Sequence, residues 1–400
     1  MHWSDQIALQ LINNKPEKEE FVSAAGISPS GTVHIGNFRD VATIYFVSKA
    51  LMRKGKKAKL LFSWDEYDRF RKVPKNIPEN MVERFEEYLG KPYSEVPDPF
   101  GCHHSYAEHY ETEFEKSLTK IGMNFDVIRY QTKEYKSGRY IDGVLTALKK
   151  RKEIYDILQS FKTQDSSHEE REEYFPISIY CDNCGKDNTK VTGISTDCTE
   201  IDYKCSCGYA ARINIYKQSN YKLPWKIDWP MRWMYEDVDF EPGGKDHAAP
   251  QGSYQVSRVI AREIYNIDEP LFQGYEFIGI KGLTGKMSGS SGININLEEL
   301  LKIYPREIIW WIYAKKAPNE AFDISLGEDV PRIYGEFDKI YEKYFDDKNS
   351  LDETTIQVMD MIIGEQDKRN KNVPFNILST LYSISNAKVE IIKEMFKKLE

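Results

Sequence analysis

His34, Gly36 and Asn37 stand in the stretch Ser30-Gly31-Thr32-Val33-His34-Ile35-Gly36-Asn37, where a strand must hand over to a helix. A helix start presents free backbone N–H groups and a partial positive charge, which suits a triphosphate. Gly31 and Gly36 let a flat or anionic ligand approach the backbone, and His34 and Asn37 set two donors three positions apart. The same spacing also suits a histidine that merely caps the helix. Far along the chain, Gly282-Leu283-Thr284-Gly285-Lys286-Met287-Ser288-Gly289-Ser290-Ser291-Gly292 forms a glycine loop with one lysine and the hydroxyls of Ser288 and Ser290. Such a loop can bring a cation and donors to developing pyrophosphate charge and then swing away. It is not a Walker loop, because Ile280 stands where the first glycine is needed and Met287 where Ser or Thr is needed. Nor do Gly26, Gly31 and Gly36 fit the spacing of a dinucleotide fingerprint.

Cysteine supplies a second chemistry. Cys181-x-x-Cys184 and Cys205-x-Cys207 put four thiols on two short knuckles, each followed by a glycine, Gly185 and Gly208. That spacing suits tetrahedral zinc in a reducing compartment rather than disulfides, and zinc would hold together a module with little core of its own. Cys198 is a spare thiol that could replace Cys205 or Cys207. Asp98, Cys102, His103 and His109 form a mixed second set, with His104 competing for the place of His103 and His109 borne on a helix beginning near Ser105. Both sets read as structural rather than catalytic.

These groups need a scaffold. Residues 21–26 read as a buried strand, residues 34–52 as a helix with Ile35, Val41, Ile44, Val47 and Leu51 on its apolar face, and residues 59–65 as a second strand. Strand, helix, strand is the start of a parallel α/β sheet, with ligands expected at the carboxyl ends of the strands. The pattern breaks from about residue 73 to 215, which reads as an inserted subdomain. It resumes with a strand at 238–240, a loop at 241–247, a helix at about 252–265 and a strand at 275–280. After Gly292 the chain reads as wholly helical, with Asn296 as a helix cap. The expected divisions are 1–72 and 216–292 for the two halves of a catalytic domain, 73–215 for the zinc-binding insert and 293–400 for a helical C-terminal region.

Composition narrows the classes. The chain has 400 residues, 40% hydrophobic and 30% charged, with 55 Lys and Arg against 63 Asp and Glu for a net charge of −8. No apolar run is long enough to span a membrane, and residues 1–10 do not form a secretory leader. Seven Trp, 26 Tyr and 19 Phe are too many for a disordered chain. The acidic balance argues against coating nucleic acid by charge alone, but leaves local basic tracks at 49–59 and 149–152. A cytoplasmic location is expected from the cysteine usage.

The tetrapeptide His34-Ile35-Gly36-Asn37 and the segment Lys286-Met287-Ser288-Gly289-Ser290 resemble the HIGH and KMSKS signatures of class I aminoacyl-tRNA synthetases. Flanking stretches GISPSGTVHIGNFRD, SWDEYDRFRKVP, DPFGCHHSYAEHY, KIDWPMRW and VDFEPGGKDH are similar to those of class I lysyl-tRNA synthetases. The resemblance covers roughly residues 1–316. It implies a Rossmann-like catalytic sheet that joins lysine to tRNA(Lys) through a lysyl-adenylate, using ATP with Mg²⁺. By the family pattern His34 and Asn37 contact phosphate, Gly36 leaves room for adenosine, and Lys286, Ser288 and Ser290 belong to the loop on the leaving pyrophosphate. Asp246 could take the ribose hydroxyls. Gly26, Ser28, His247 and Tyr275 fall where the family holds its amino acid. Selecting lysine also needs a carboxylate or aromatic cage for its ammonium, for which Asp65, inferred from charge, and Trp225 are candidates, although Trp225 and Trp229 also suit a core. Gly289 departs from the pattern, since many relatives carry lysine there. The family usually ends in a larger helical anticodon-binding domain than 293–400 supplies. Other expected possibilities are a glutamyl or cysteinyl synthetase of the same class, or a non-catalytic zinc-containing RNA-binding paralogue.

Overall fold

A computed structural model of the chain describes residues 1–162, 167–283, 294–363 and 373–397. Along it run α1 (Trp3–Asn14), β1 (Glu20–Ile27), α2 (Ile35–Arg53), β2 (Lys57–Trp64), α3 (Tyr106–Lys120) and β3 (Val127–Tyr130). Next come β4 (Thr189–Ile194), β5 (Glu200–Cys205), β6 (Ala210–Asn214), α4 (Trp225–Glu236), β7 (Phe240–Gly244) and α5 (Ser253–Glu263). The chain continues through β8 (Leu271–Tyr275), β9 (Ile278–Ile280), α6 (Arg306–Ala314), β10 (Phe322–Ile324) and α7 (Val330–Asp346), with further short helices between and after these. No helix of the described residues is long and apolar enough to cross a membrane.

The centre is a five-stranded sheet in the order β8-β7-β1-β2-β3, every neighbouring pair parallel. A parallel sheet must be covered on both faces, which is why β1 reads as the near-continuous apolar run Phe21-Val22-Ser23-Ala24-Ala25. One face is covered by α2, whose Ile35, Phe38, Val41, Ile44, Phe46 and Val47 are almost wholly buried, and α1 packs outside it. On the other face Trp229, Trp233 and Tyr254 of α4 and α5 close over Val22, Ala24 and Leu61. The strands therefore end together, with Gly26 level with Ser63 and Ser63 with Arg129.

Four expectations from the sequence differ from the structure. The segment 275–280 is not one strand. Arg39 takes the carbonyl of Glu276 at 2.7 Å and the Glu276 N–H goes to Pro318 O, so the backbone leaves the main sheet there. Beyond that point β9 pairs in parallel with β10, so the region after Gly292 is not wholly helical. Their approach is close: a Cβ at Gly279 would sit 2.1 Å from Asp323 Oδ1. The segment expected as a loop at 241–247 instead continues β7 to Gly244 and then turns into a short helix, Lys245–Ala248. Finally, β3 comes from within the stretch set apart as an insert, yet forms the edge of the main sheet.

Candidate active site

Where β1, β7 and β8 end, a cleft of about 670 Å³ opens against the start of α2. Gly26, Ser28, His34, Gly36, Asn37, Asp246, His247 and Tyr275 all line it. Residues more than 200 positions apart thus share one space because parallel strands deliver their carboxyl ends to one edge. Lys286, Ser288 and Ser290 lie outside the described residues. The flanks of their segment do not: Ile278 and Gly279 line the cleft, and past the segment Ile295 O accepts the Ile35 N–H at 2.9 Å, with Asn296 bridged to His34.

At the head of α2 the expectation of free backbone donors is corrected. His34 is the N-cap, and its Nδ1 accepts the N–H groups of Gly36 and Asn37 at 3.1 and 3.2 Å. With Ile35 N–H given to Ile295, the first amides of the helix are spent inside the protein. An Nδ1 that accepts leaves the ring proton on Nε2, so the capping histidine is also a donor on the cleft wall. Of the two expectations for His34, the structure shows the cap: Nδ1 holds the Gly36 and Asn37 N–H groups, while the ring lies on the cleft wall.

The opposite wall is carried by Tyr275 and His247. Burial, then the Asp40 carboxylate beside it, drives the Tyr275 hydroxyl well above its ordinary range. Burial also lowers His247, whose Nδ1 meets Ser253 Oγ at 2.8 Å. The guanidinium of Arg39 is buried against the carbonyls of Glu276, Ala317 and Glu320 at 2.7–2.8 Å, which fastens this wall to α2.

Asp65 is not in the cleft. It is buried at the end of β2 and accepts from Arg232 at 2.5 Å, rather than from the nearby Arg69 or Arg71. Arg232 also pairs with Asp228 one turn earlier on α4, so Asp65 is committed to a structural triad and corrected as a lysine-binding residue. Trp225 is outside the cleft too. Its ring stacks on Trp229 (4.8 Å between centroids) and carries Arg232 over it at 5.4 Å. Two buried acids near the cleft were missed. Asp40 is buried on α2 and accepts the Gly26 N–H at 3.3 Å, and Glu241 is buried on β7 with Trp233 Nε1 donating at 2.6 Å. An acid placed inside an apolar helix face or an apolar strand was the signal that could have found them.

Away from the cleft, two donor sets converge. The Sγ atoms of Cys181, Cys184, Cys205 and Cys207 all lie within 4.8 Å of one another, with Cys181 to Cys207 at 3.8 Å and Cys184 to Cys205 at 3.6 Å. Four sulfurs around zinc at ~2.3 Å stand about 3.8 Å apart, so the set fits that ion. Each knuckle turns through a glycine in the left-handed region, Gly185 at φ 70° and Gly208 at φ 89°. Cys198 is outside the cluster. Asp98, Cys102, His103 and His109 also converge, Cys102 Sγ lying 3.1 and 3.3 Å from the Nδ1 atoms of His103 and His109. His104 is not among them; its N–H goes to Glu108.

The family model for tRNA synthetases class I (K) matches residues 1–364. A protein of Pyrococcus horikoshii named lysine–tRNA ligase is 38% identical over all of this chain and 75% of its own length. The protein of that name from Pyrococcus furiosus is 39% identical over 98% of this chain and 74% of its own. The one from Thermococcus kodakarensis is 42% identical over 86% of this chain and 64% of its own. With signatures, parallel sheet and cleft already in place, a match spanning nine-tenths of the sequence means that the chain belongs to the class I (K) tRNA synthetase family.

Proposed function

We propose that this chain is a lysine–tRNA ligase that activates lysine with ATP·Mg²⁺ and passes it to tRNA(Lys). The observation that carries the proposal is the single cleft shared by His34, Gly36 and Asn37 on one side and Gly26, Ser28, His247 and Tyr275 on the other. Relatives over 37–42% identity that bear the name lysine–tRNA ligase support it.

The lysine carboxylate attacks the α-phosphorus of ATP; an O–P bond forms, the bond to the bridging oxygen breaks and pyrophosphate leaves. A ribose hydroxyl of the tRNA 3′ end then takes the lysyl group and AMP leaves. Catalysis in the first step is mainly positioning and charge neutralisation. His34 Nε2–H and the Asn37 amide hold phosphate oxygens, with the positive end of α2 behind them. Gly36 leaves room for the adenosine, and Asp246 takes ribose hydroxyls. Gly26, Ser28, His247 and Tyr275 hold the amino acid. Lys286 offsets the charge of the departing pyrophosphate and Ser288 and Ser290 donate hydrogen bonds to it, with Gly289 supplying no second charge there. Mg²⁺ arrives with ATP and shields its phosphates.

Zinc is held by Cys181, Cys184, Cys205 and Cys207, and a second ion by Asp98, Cys102, His103 and His109. Each is a structural cross-link. Metal analysis is expected to find zinc at both sites, with Cys205→Ser losing the first ion only and His109→Ala the second only. Removing zinc with a chelator should open residues 178–222 to protease while α2 and its strands stay protected. Loss of neither ion on chelation, or unchanged cleavage afterwards, would count against the structural role. The insert's basic side chains contact the tRNA by charge, and the working compartment is the cytoplasm.

The test of the reaction is amino-acid-dependent exchange of pyrophosphate into ATP, with and without tRNA, for each amino acid. Lysine is expected to drive exchange and tRNA charging far above all others. Glutamate or cysteine doing so would replace the proposal with another synthetase of the class, and no turnover with any amino acid would leave a non-catalytic RNA-binding protein.

A further inference from the structure

Helix α3 lies within residues 73–215, yet two of its side chains reach the turn that begins α2. Tyr106 and Glu113 stand two helical turns apart and so share a face of α3. The Tyr106 hydroxyl donates to Ser30 O at 3.0 Å, and Glu113 Oε1 accepts from Asn296 Nδ2 at 2.6 Å. Ser30 lines the cleft just ahead of His34, and Asn296 lies beside His34 in an antiparallel bridge. We propose that Glu113 is a positioning residue for adenylate formation, which acts through Asn296 to fix the His34 backbone and with it the ring on the cleft wall. The inference rests on the ligase reading above and adds a residue that does not itself line the cleft.

The bonding of Asn296 carries the argument. Its side-chain oxygen takes the Glu299 N–H at 2.8 Å and caps the short helix Leu297–Leu301, while its own N–H goes to the Glu299 carboxylate at 3.0 Å. Both bonds stay within residues 296–299, so the Glu113 bond is what ties this side chain to another element. On its other flank the backbone runs along His34. Ile295 O takes the Ile35 N–H at 2.9 Å, and His34 is held extended at φ −88° and ψ 165°. That extended cap is what lets Nδ1 fold back onto the Gly36 and Asn37 N–H groups. A displacement of Asn296 therefore turns the ring of His34.

Two further observations point the same way. The brace is two-sided: Tyr106 pins the loop before His34 and Glu113 pins the segment beside it, both from one helix. Tyr106 is wholly buried against the rings of Tyr93 and Tyr110, so the first anchor is stiff. Then there is the choice of side chain. Burial raises the Glu113 carboxyl, and the hydrogen bond from Asn296 works against that rise. An apolar residue would pack on this face without such a penalty; what the carboxylate adds is a strong, directional acceptor for one amide. In-line attack on phosphorus needs that precision, since a misplacement of ~1 Å can lower a rate ~10²-fold.

The experiment is lysine-dependent pyrophosphate exchange with tRNA present, together with melting temperatures, on the wild type, on Asn296→Asp and on the double variant E113Q/N296D. Aspartate keeps an oxygen for the Glu299 N–H but turns the donor facing Glu113 into a second carboxylate. In N296D kcat is expected to fall ~10–10²-fold while the KM for lysine stays within about twofold. In the double variant the glutamine amide donates to the aspartate, so the hydrogen bond returns with its direction reversed and the charge of the pair unchanged. Its kcat should recover to within about threefold of wild type. Should N296D melt below the assay temperature, Glu113→Ala decides: it removes the acceptor from a half-buried site and should lower kcat ~10-fold at an unchanged lysine KM. A kcat within about threefold of wild type in the deciding variant, or a loss that appears as a raised lysine KM, overturns the assignment while the lysine reading stands. So does a double variant that melts like the wild type yet stays as slow as N296D. A wild type that does not activate lysine overturns both.

Discussion

Replacing Arg232 with methionine is expected to destabilise the protein by ~3–5 kcal/mol, a large share of the 5–15 kcal/mol that holds a typical domain together. Arg232 is buried between β2 and α4, donating to Asp65 at 2.5 Å and to Asp228. Asp228 also takes the hydroxyl of Tyr135, which in turn accepts the Leu223 N–H, so the triad fastens α4 to Tyr135 within the insert. Methionine fills much of the volume but leaves two buried carboxylates without a cation. Burial already raises Asp65, with Arg232 the main opposing influence. In R232M Asp65 loses that opposing influence and is raised further above its unfolded value, so the folded state binds more protons than the unfolded one. Stability must then improve as pH falls, and the gap to wild type should be widest near pH 7 and narrower at pH 5. Urea unfolding at the two pH values measures this. R232M/D228N should recover part of the loss; a gap independent of pH would mean that lost packing, not stranded charge, is responsible.

The second large effect falls on His34, whose two nitrogens can be separated by mutation. His34→Ala removes both the cap and the donor; adenylate formation in a single turnover is expected to drop ~10²–10³-fold, while stability falls by only ~1 kcal/mol. His34→Ser restores an N-cap oxygen for Gly36 and Asn37 but nothing that reaches phosphate. The melting temperature should therefore return toward wild type with adenylation still low. If serine rescued the rate as well, His34 would be a cap and nothing more.

Much of the scaffold could be read in advance because it is local. Strand β1, helix α2 and the two cysteine knuckles are each written in a few adjacent residues, whose apolar runs and glycines leave one conformation. What escaped was non-local. Asp65 looked like an open acid at a strand end because its partner, Arg232, is 167 residues away. Glu241 and Asp40 are marked only by the apolar residues beside them in strand and helix, and the Trp233 indole on Glu241 and the Gly26 backbone on Asp40, each from another element, show where they are buried. The three-residue strands β9 and β10 are too short for any periodicity, and they pair only across more than forty residues, next to where Arg39 holds the Glu276 carbonyl.

The strand that β3 lends to the sheet has a practical meaning for anyone who would pare this chain down. It is stitched to β2 by Leu61 beside Val127 and by the Asp126 N–H on Leu60 O, then locked by Glu66 accepting the Gln131 and Thr132 N–H groups. Cutting out residues 73–215 as though they were an accessory would strip the sheet of a border and lay β2 bare as an unpaired edge, an invitation to aggregate. A miniature version should keep residues 123–136 grafted in place, and a graft that stays monomeric where the plain excision precipitates would show that the ornament and the engine share a frame.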